Sequence, residues 1–314
     1  MKHLASLATW PDFEATLQKA KEFKQDPLRN QTLGRGKTIG LLFFNPSLRT
    51  RMSTEKAAQN LGMKTLVMNV NQDGWQLEFE DGVIMNQNSS EHIKEAAAVI
   101  SQYCDIVGIR AFAQLKNREE DKTEKILTRF IQYSSIPVVN LESATAHPLQ
   151  ALTDALTLAE NKQSHRPKVV LSWAPHPKAL PQAVANSFVQ MMKKQEADFI
   201  IAHPEGYELD PAITEGISTT TEQEEAFTGA DFIYAKNWSS FEQYGQILKT
   251  EKKWIINSEK MALTKQAKFM HCLPVRRNVV VSDGVLDSPN SLVIAQANNR
   301  TFVAQAVLEI LLQQ

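Results

Sequence analysis

The chain has 314 residues, 43% of them hydrophobic and 22% charged, enough for two domains with separate cores. Its formal net charge of -1 provides no field to gather nucleic acid or an anionic membrane. No apolar run reaches the roughly 20 residues of a membrane-spanning helix, and MKHLASLATWPDFEATLQKA lacks a secretory apolar core, so a cytoplasmic protein with neither nucleic-acid nor membrane partners is expected.

Short β-branched or apolar runs alternate with longer amphipathic segments, the pattern of βα units built around parallel sheets. In the first half, strands are expected in KTIGLLFF from Lys37, KTLVMNV from Lys64, CDIVGIRAF from Cys104 and IPVVNLES from Ile136. In the second half they are expected in KVVLSWA from Lys168, DFIIAHP from Asp198, DFIYAKNW from Asp231, KWIINS from Lys253 and KFMHCLP from Lys268. The predicted fold class is α/β, with two doubly wound parallel-sheet domains joined by inter-domain helices. HPLQALTDALTLAE reads as the helix between them, Leu149, Ala151, Leu152, Ala155, Leu156 and Ala159 covering one face and Gln150, Thr153, Asp154 and Thr157 the other. The boundary falls near residues 143–165, where KQSHRP has linker composition, giving expected domains at 1–145 and 146–299. The apolar period of FVAQAVLEILLQQ, at Phe302, Val303, Ala306, Val307, Ile310 and Leu311, predicts a helix in 300–314 that crosses back to the first domain. Cys104 and Cys272, the only cysteines, lie in apolar, strand-like surroundings and form no CxxC pair, so neither a disulfide framework nor a redox pair is expected.

The most informative stretch is FFNPSLRTRMSTEKAAQNLG, residues 43–62. A strand end at Phe43 and Phe44 enters an Asn45-Pro46 turn, which places Ser47, Arg49, Thr50 and Arg51 on the first turn of a helix. Free backbone N–H groups and the positive end of the helix dipole face outward there, and guanidinium and hydroxyl groups add directed donors suited to a phosphate. Ser47 alone reads as an N-cap serine; the whole cluster reads as an anion site.

Other polar residues stand just after predicted strands, where open α/β sheets place their ligands. Arg110 ends CDIVGIR, Glu142 ends VVNLE, and His147 and Gln150 follow at i and i+3. His176 follows VVLSWAP, Lys236 follows DFIYA, and His271, Cys272 and Arg276 lie in MHCLPVRR. No G-x-G-x-x-G follows KTIGLLFF or KVVLSWA, which argues against a nicotinamide dehydrogenase. The spacings of His147, His176, His203 and His271 match no zinc pattern, and no metal or cofactor is expected.

SLRTR after a strand, HPLQ opening the middle helix and HCLP ahead of an Arg-Arg pair together resemble the aspartate/ornithine transcarbamylase family over essentially the whole chain. The resemblance implies a carbamoyl-phosphate domain, an amino-acid domain and homotrimers whose active sites lie between subunits. By matching motifs, Ser47, Leu48, Arg49, Thr50, Arg110, His147, Gln150, Cys272, Leu273 and Arg300 would hold carbamoyl phosphate. Thr50, Arg110 and His147 would donate to the developing oxyanion while Arg49 stabilises the leaving phosphate. For His147, oxyanion donation is expected ahead of proton transfer. A non-catalytic carbamoyl-phosphate-binding protein is the rival, but it would have little need for the complete amine-side set.

One departure bears on the amine. Where ornithine enzymes carry an Asp in D-V-x-Y-x-D-x-W for the free α-ammonium, the matching stretch here is Asp231-Phe-Ile-Tyr-Ala-Lys236-Asn-Trp238, and no Ser-Met-Gly follows. A lysine would repel an α-ammonium and favour a masked nitrogen with carboxylates nearby. The resemblance therefore narrows to the acylornithine enzymes, in which Glu142, His176, Lys236 and Arg276 would hold the acylornithine, Glu142 steering its δ-amine. Trp75, on the polar loop NQDGWQLEFEDG, would reach a neighbouring subunit's site and complete the carbamoyl-phosphate set. Acetyl enzymes carry Glu where Ser90 stands and Lys after RRNV, where this chain has Val280, so N-succinylornithine is expected and N-acetylornithine is the alternative.

Overall fold

The computed structural model describes residues 3–248 and 252–314. Its backbone separates into two compact units, one comprising Met1–Gln114, Glu119–Leu152 and Asn299–Gln314, the other Leu115–Arg118 and Thr153–Asn298.

The first unit holds β1 (Thr38–Phe43), β2 (Lys64–Asn69), β3 (Gln76–Glu78), β4 (Ser89–His92), β5 (Ile106–Arg110) and β6 (Val138–Glu142). Four of these form a parallel sheet in the order β2-β1-β5-β6, while β3 and β4 make a separate parallel ribbon. β1 and β5 are almost wholly buried, and each reads as a near-continuous apolar run, as expected of strands covered on both faces. β2 lies at the sheet edge and leaves Leu66 and Met68 exposed.

The second unit holds β7 (Lys168–Trp173), β8 (Asp198–Ala202), β9 (Ser218–Thr220), β10 (Phe232–Lys236) and β11 (Lys268–Met270), all parallel in the order β11-β10-β7-β8-β9. The parallel α/β architecture read from the alternating pattern is thus the observed one.

Some local expectations fail. KWIINS is not a strand: Lys252–Trp254 forms a 3-10 turn, and Ile256 makes a single bridge to Val281. Its apolar side chains are buried, Trp254 at 3% and Ile256 at 0% exposure. The Lys260 ammonium, however, donates to the carbonyls of Lys253 and Ile255, satisfying them where a ladder otherwise would. Cys104 is not in a strand either; it closes the helix Ile93–Tyr103, and Cys272 lies in the turn after β11. β3, β4 and β9 were not anticipated, being three or four residues long and polar.

Ser47 caps the helix Leu48–Asn60, its Oγ accepting from Thr50 N at 3.3 Å. The same helix ends on Gly62, φ +81°, with Met63 N bonded to Ala58 O and Gly62 N to Gln59 O, a Schellman stop that turns the chain into β2. A Cβ at Gly62 would lie 2.3 Å from the Gln31 carbonyl oxygen, so close approach as well as the positive φ requires glycine.

The boundary between units falls within the helices Pro148–Asn161 and Val293–Leu312. In the first, Gln150, Thr153, Asp154 and Thr157 are buried along with the apolar face. In the second, every residue from Phe302 to Leu311 is buried, and its polar members find partners in the first unit. Glu309 pairs with Lys19 at 2.5 Å, and Gln305 accepts from Asn60 at 3.0 Å. Among the described residues, no helix is long and apolar enough to cross a membrane.

Candidate active site

In the first unit the register of the sheet aligns Phe43 with Arg110 and Arg110 with Glu142, so three strand ends finish side by side. Chain leaving β1 turns through Asn45 and Pro46 into the Leu48–Asn60 helix, whose first turn carries Arg49 and Thr50. Thr50 is buried, and its Oγ1 accepts from Arg300 Nη2 at 2.8 Å and from Arg110 Nη1 at 3.4 Å. With both lone pairs facing donors, the hydroxyl proton is directed elsewhere, which makes Thr50 an oriented donor. Arg110 Nη1 also meets Glu142 Oε2 at 2.5 Å, and its guanidinium lies 4.3 Å from the Phe112 ring centroid. His147 Nε2 stands 3.6 Å from the same Glu142 oxygen, and Arg300 Nη1 donates to Gln150 Oε1. Thr50, Arg110, Glu142, His147, Gln150 and Arg300 therefore form one contiguous, largely buried cluster, although they span 250 positions of sequence.

One expectation for this stretch changes. Arg51 does not join the cluster; its Nε donates to Glu55 at 2.8 Å, one turn on, across exposed surface. Arg300, from the last helix, stands beside Thr50, with which the resemblance groups it. Leu48 is 69% exposed. Trp75 and Ser90 come together on the small ribbon: both are exposed, and Trp75 Nε1 donates at 2.8 Å to Glu91, the neighbour of Ser90 on β4.

The second unit offers another set of strand ends. Lys236 closes β10 directly beside Trp173, the end of β7. It is only 9% exposed, and its Nζ donates to Asn237 O at 3.1 Å. Beneath it, Trp173 and Trp238 donate to the carbonyls of Trp238 and Tyr207, and the Trp173 and Tyr207 rings lie 4.6 Å apart, a dense aromatic floor. Arg276 Nε donates to His176 Nε2 at 3.1 Å. A guanidinium has no acceptor, so Nε2 receives this bond on its lone pair, while Nδ1 faces both the carbonyl oxygen and the amide nitrogen of Lys178, at 2.9 and 3.1 Å. Burial first, and then the cations Arg276, Lys236 and Lys178, hold the His176 imidazole below its ordinary 6.5, opposed by the hydrogen bond to the Lys178 carbonyl.

After β11 the chain runs through His271, Cys272 and Leu273. His271 N donates to Gln296 Oε1 at 3.0 Å, and His271 Nδ1 accepts from Leu273 N at 2.9 Å. Leu273 has φ +55° and precedes a cis peptide to Pro274. Gln296 in turn donates to Asp154 at 2.7 Å. Full burial, next to Asp154 and Cys272, pushes the Tyr234 phenol well above its ordinary 10.

Comparison with known proteins bears on both halves. The family model for the aspartate/ornithine carbamoyltransferase carbamoyl-P binding domain matches residues 2–160, and that for the Asp/Orn binding domain matches residues 181–311. The chain belongs to the aspartate/ornithine carbamoyltransferase family. It is 50% identical to the N-succinylornithine carbamoyltransferase of Bacteroides fragilis (strain 638R), over 100% of this chain and 99% of that protein. Identity to the N-acetylornithine carbamoyltransferase of Xanthomonas axonopodis pv. citri (strain 306) is 36%, over 100% and 97% of the two chains. A crystal structure of acetylornithine transcarbamylase complexed with acetylcitrulline matches with a TM-score of 0.94 at 35% identity, covering 99% of each chain. A glutamate-to-serine variant of N-acetyl-L-ornithine transcarbamylase, complexed with carbamyl phosphate and N-succinyl-L-norvaline, matches with the same TM-score at 35% identity, covering 99% of this chain and 100% of that one. The protein is a carbamoyltransferase.

Two residues that shape this candidate site were not singled out in the sequence. Asn140, fully buried, donates to Ala5 O and Ser143 Oγ and accepts from Glu142 N, and Gln296 holds the His271 backbone. An asparagine inside the apolar run VVNLES is a readable signal. Gln296 has none, because only the packed structure brings it to His271.

The His176–Arg276 contact sets a sign for pH. A histidine with a depressed folded pKa binds fewer protons folded than unfolded, so its contribution to stability is complete above about 6.5 and is lost as pH falls through the depressed value. NMR titration of the His176 Cε1–H is expected to give a midpoint below 6.5, and Arg276→Met to raise it partway. A wild-type midpoint at or above 6.5 contradicts the depression ascribed to burial and the neighbouring cations.

Proposed function

We propose that this carbamoyltransferase moves the carbamoyl group of carbamoyl phosphate to the δ-amine of an N-α-acyl-L-ornithine, N-succinyl-L-ornithine ahead of N-acetyl-L-ornithine. The products are N-acyl-L-citrulline and phosphate, a step of arginine biosynthesis. Carbamoyl phosphate is assigned to Ser47, Leu48, Arg49, Thr50, Arg110, His147, Gln150, Cys272, Leu273 and Arg300. The acylornithine is assigned to Glu142, His176, Lys236 and Arg276.

The unprotonated δ-amine attacks the carbamoyl carbon, the carbonyl oxygen takes up negative charge, and the C–O bond to phosphate breaks with its electron pair leaving on phosphate. The proton lost from the nitrogen passes to the departing phosphate. Thr50, Arg110 and His147 donate to the oxyanion; Arg49, Arg300 and the N-terminus of the Leu48–Asn60 helix stabilise the leaving group. Glu142 orients the amine from the position where it already compensates Arg110.

The observation that carries the amine assignment is the charge around His176: Arg276, Lys236 and Lys178 are all cations. A substrate bearing a free α-ammonium would add a fourth positive charge. An acylated nitrogen flanked by carboxylates neutralises the set instead. The relatives named for N-succinylornithine and N-acetylornithine support the same class. Purified protein supplied with carbamoyl phosphate is expected to form ureido product with N-succinylornithine and N-acetylornithine, and little with ornithine or aspartate. Lys236→Ala is expected to lower kcat/KM for the acylornithine by about 10²-fold, as when one partner of a buried charged pair is removed. Product from ornithine alone would refute the assignment.

For the acyl group, an acid at Ser90 would repel a succinyl carboxylate, whereas serine does not. A relative in which a glutamate is replaced by serine accommodates N-succinyl-L-norvaline beside carbamyl phosphate, which supports the compatibility of serine with that group in this family. Ser90→Glu is expected to shift the kcat/KM ratio towards N-acetylornithine; an unchanged ratio removes Ser90 from specificity.

The assembly proposed is a homotrimer in which Trp75 of one copy reaches the site of the next. Leu48 and Met52, one helical turn apart, are 69% and 62% exposed, and Leu66 and Met68 on the edge strand are 54% and 41% exposed, as is suited to surfaces that another copy covers. Sedimentation equilibrium is expected to give three times the 35.3 kDa chain mass; a monomer would refute it.

A further inference from the structure

Glu124 has no place in the chemistry above, and two features single it out. It precedes the helix Lys125–Tyr133 with φ +51° and ψ +38°, a left-handed conformation that glycine or asparagine adopts more readily than glutamate. Its carboxyl is also partly buried, and that desolvation pushes its pKa up despite the hydrogen bonds it accepts. An awkward backbone and a desolvated acid at the same residue call for a compensating set of contacts.

Those contacts all fall on one short turn. Glu124 Oε1 accepts from Ser143 Oγ at 2.8 Å, Thr145 N at 2.7 Å and Thr145 Oγ1 at 2.5 Å, while Oε2 accepts from Ala144 N at 3.1 Å. Residues 143–145 are part of the segment that separates Glu142 from His147. On its other side the segment is tied by Asn140, which donates to Ser143 Oγ at 2.8 Å, and by Ser143 N, which donates to Ala146 O at 2.8 Å. Glu142 itself has φ +144°. It therefore depends on its neighbours to hold a backbone shape it would not choose unaided.

We infer that Glu124 is a positioning residue for carbamoyl transfer: its carboxylate clamps the 143–145 turn so that Glu142 and His147 stand together beside Arg110 and Thr50. This inference rests on the roles given to Glu142 and His147 under the proposed function. A glutamate serves here because one carboxylate presents enough lone pairs to receive four donors at once, two of them successive backbone N–H groups. An amide of the same shape must turn an N–H towards at least one of those donors.

The test is Glu124→Gln, alone and on a His147→Ala background, in the full-length protein. Acting through Glu142 and His147, the substitution is expected to lower kcat by about tenfold or more with little change in KM for carbamoyl phosphate. In the His147→Ala background it is expected to cost clearly less than it does alone, because one of the two groups it positions is gone and only Glu142 remains. Equal losses in both backgrounds, or a loss in melting temperature with kcat unchanged, would overturn the inference in favour of a purely structural staple. If Glu124→Gln does not accumulate folded, Thr145→Val, which deletes one hydroxyl donor and keeps the backbone donor, is expected to show the same pattern in smaller measure. The His147 Cε1–H resonance gives a readout independent of turnover. It is expected to move in either variant, and a fixed resonance overturns the clamp. Should His147→Ala leave turnover intact, the oxyanion role of His147 fails, while a moved resonance in Glu124→Gln still supports the clamp.

Discussion

Two guanidinium groups converge on one buried hydroxyl in the first unit, and most of what the site can do follows from that constraint. Arg110 and Arg300, each about 7% exposed, both donate to Thr50 Oγ1. Like charges held this close in a desolvated position require negative charge nearby. Glu142 supplies one carboxylate at 2.5 Å from Arg110.

The parallel sheet makes this convergence possible. Its register leaves Phe43, Arg110 and Glu142 at one level, where the chain exits each strand in the same direction. The Leu48–Asn60 helix starts from the first of these exits, and its serine cap and Schellman stop fix both ends, so Thr50 has a defined place. The second unit repeats the arrangement with a different charge balance. Lys236 and Trp173 end neighbouring strands above an aromatic floor, and a neutral His176 holds Arg276. One unit thus presents cations partly compensated by an acid, and the other presents cations gathered about a histidine.

Legibility followed the range of the interaction. The places of Ser47, Thr50, Arg110, Glu142, His147 and Lys236 at strand ends and helix starts could be read because such positions are marked by local pattern. Arg51 was misread for the same reason. The pattern placed it beside Arg49, whereas in the fold it turns one step along the helix to Glu55. KWIINS has the composition of a strand, yet the Lys260 ammonium takes its carbonyls, and no local signal reveals a competitor that lies beyond the run.

The amino-acid sequence by itself determined the parallel α/β class, the longer strands of the two main sheets and the chemical types gathered at their ends. These depend on residue periodicity and on turns a few residues long. Tertiary structure alone decided that Arg300 donates to Thr50 Oγ1 itself, that Glu124 clamps the turn before His147, and that His176 accepts from Arg276. The physical reason is that hydrogen bonds and burial act over a few ångströms of space, and only folding sets which distant residues come within that reach.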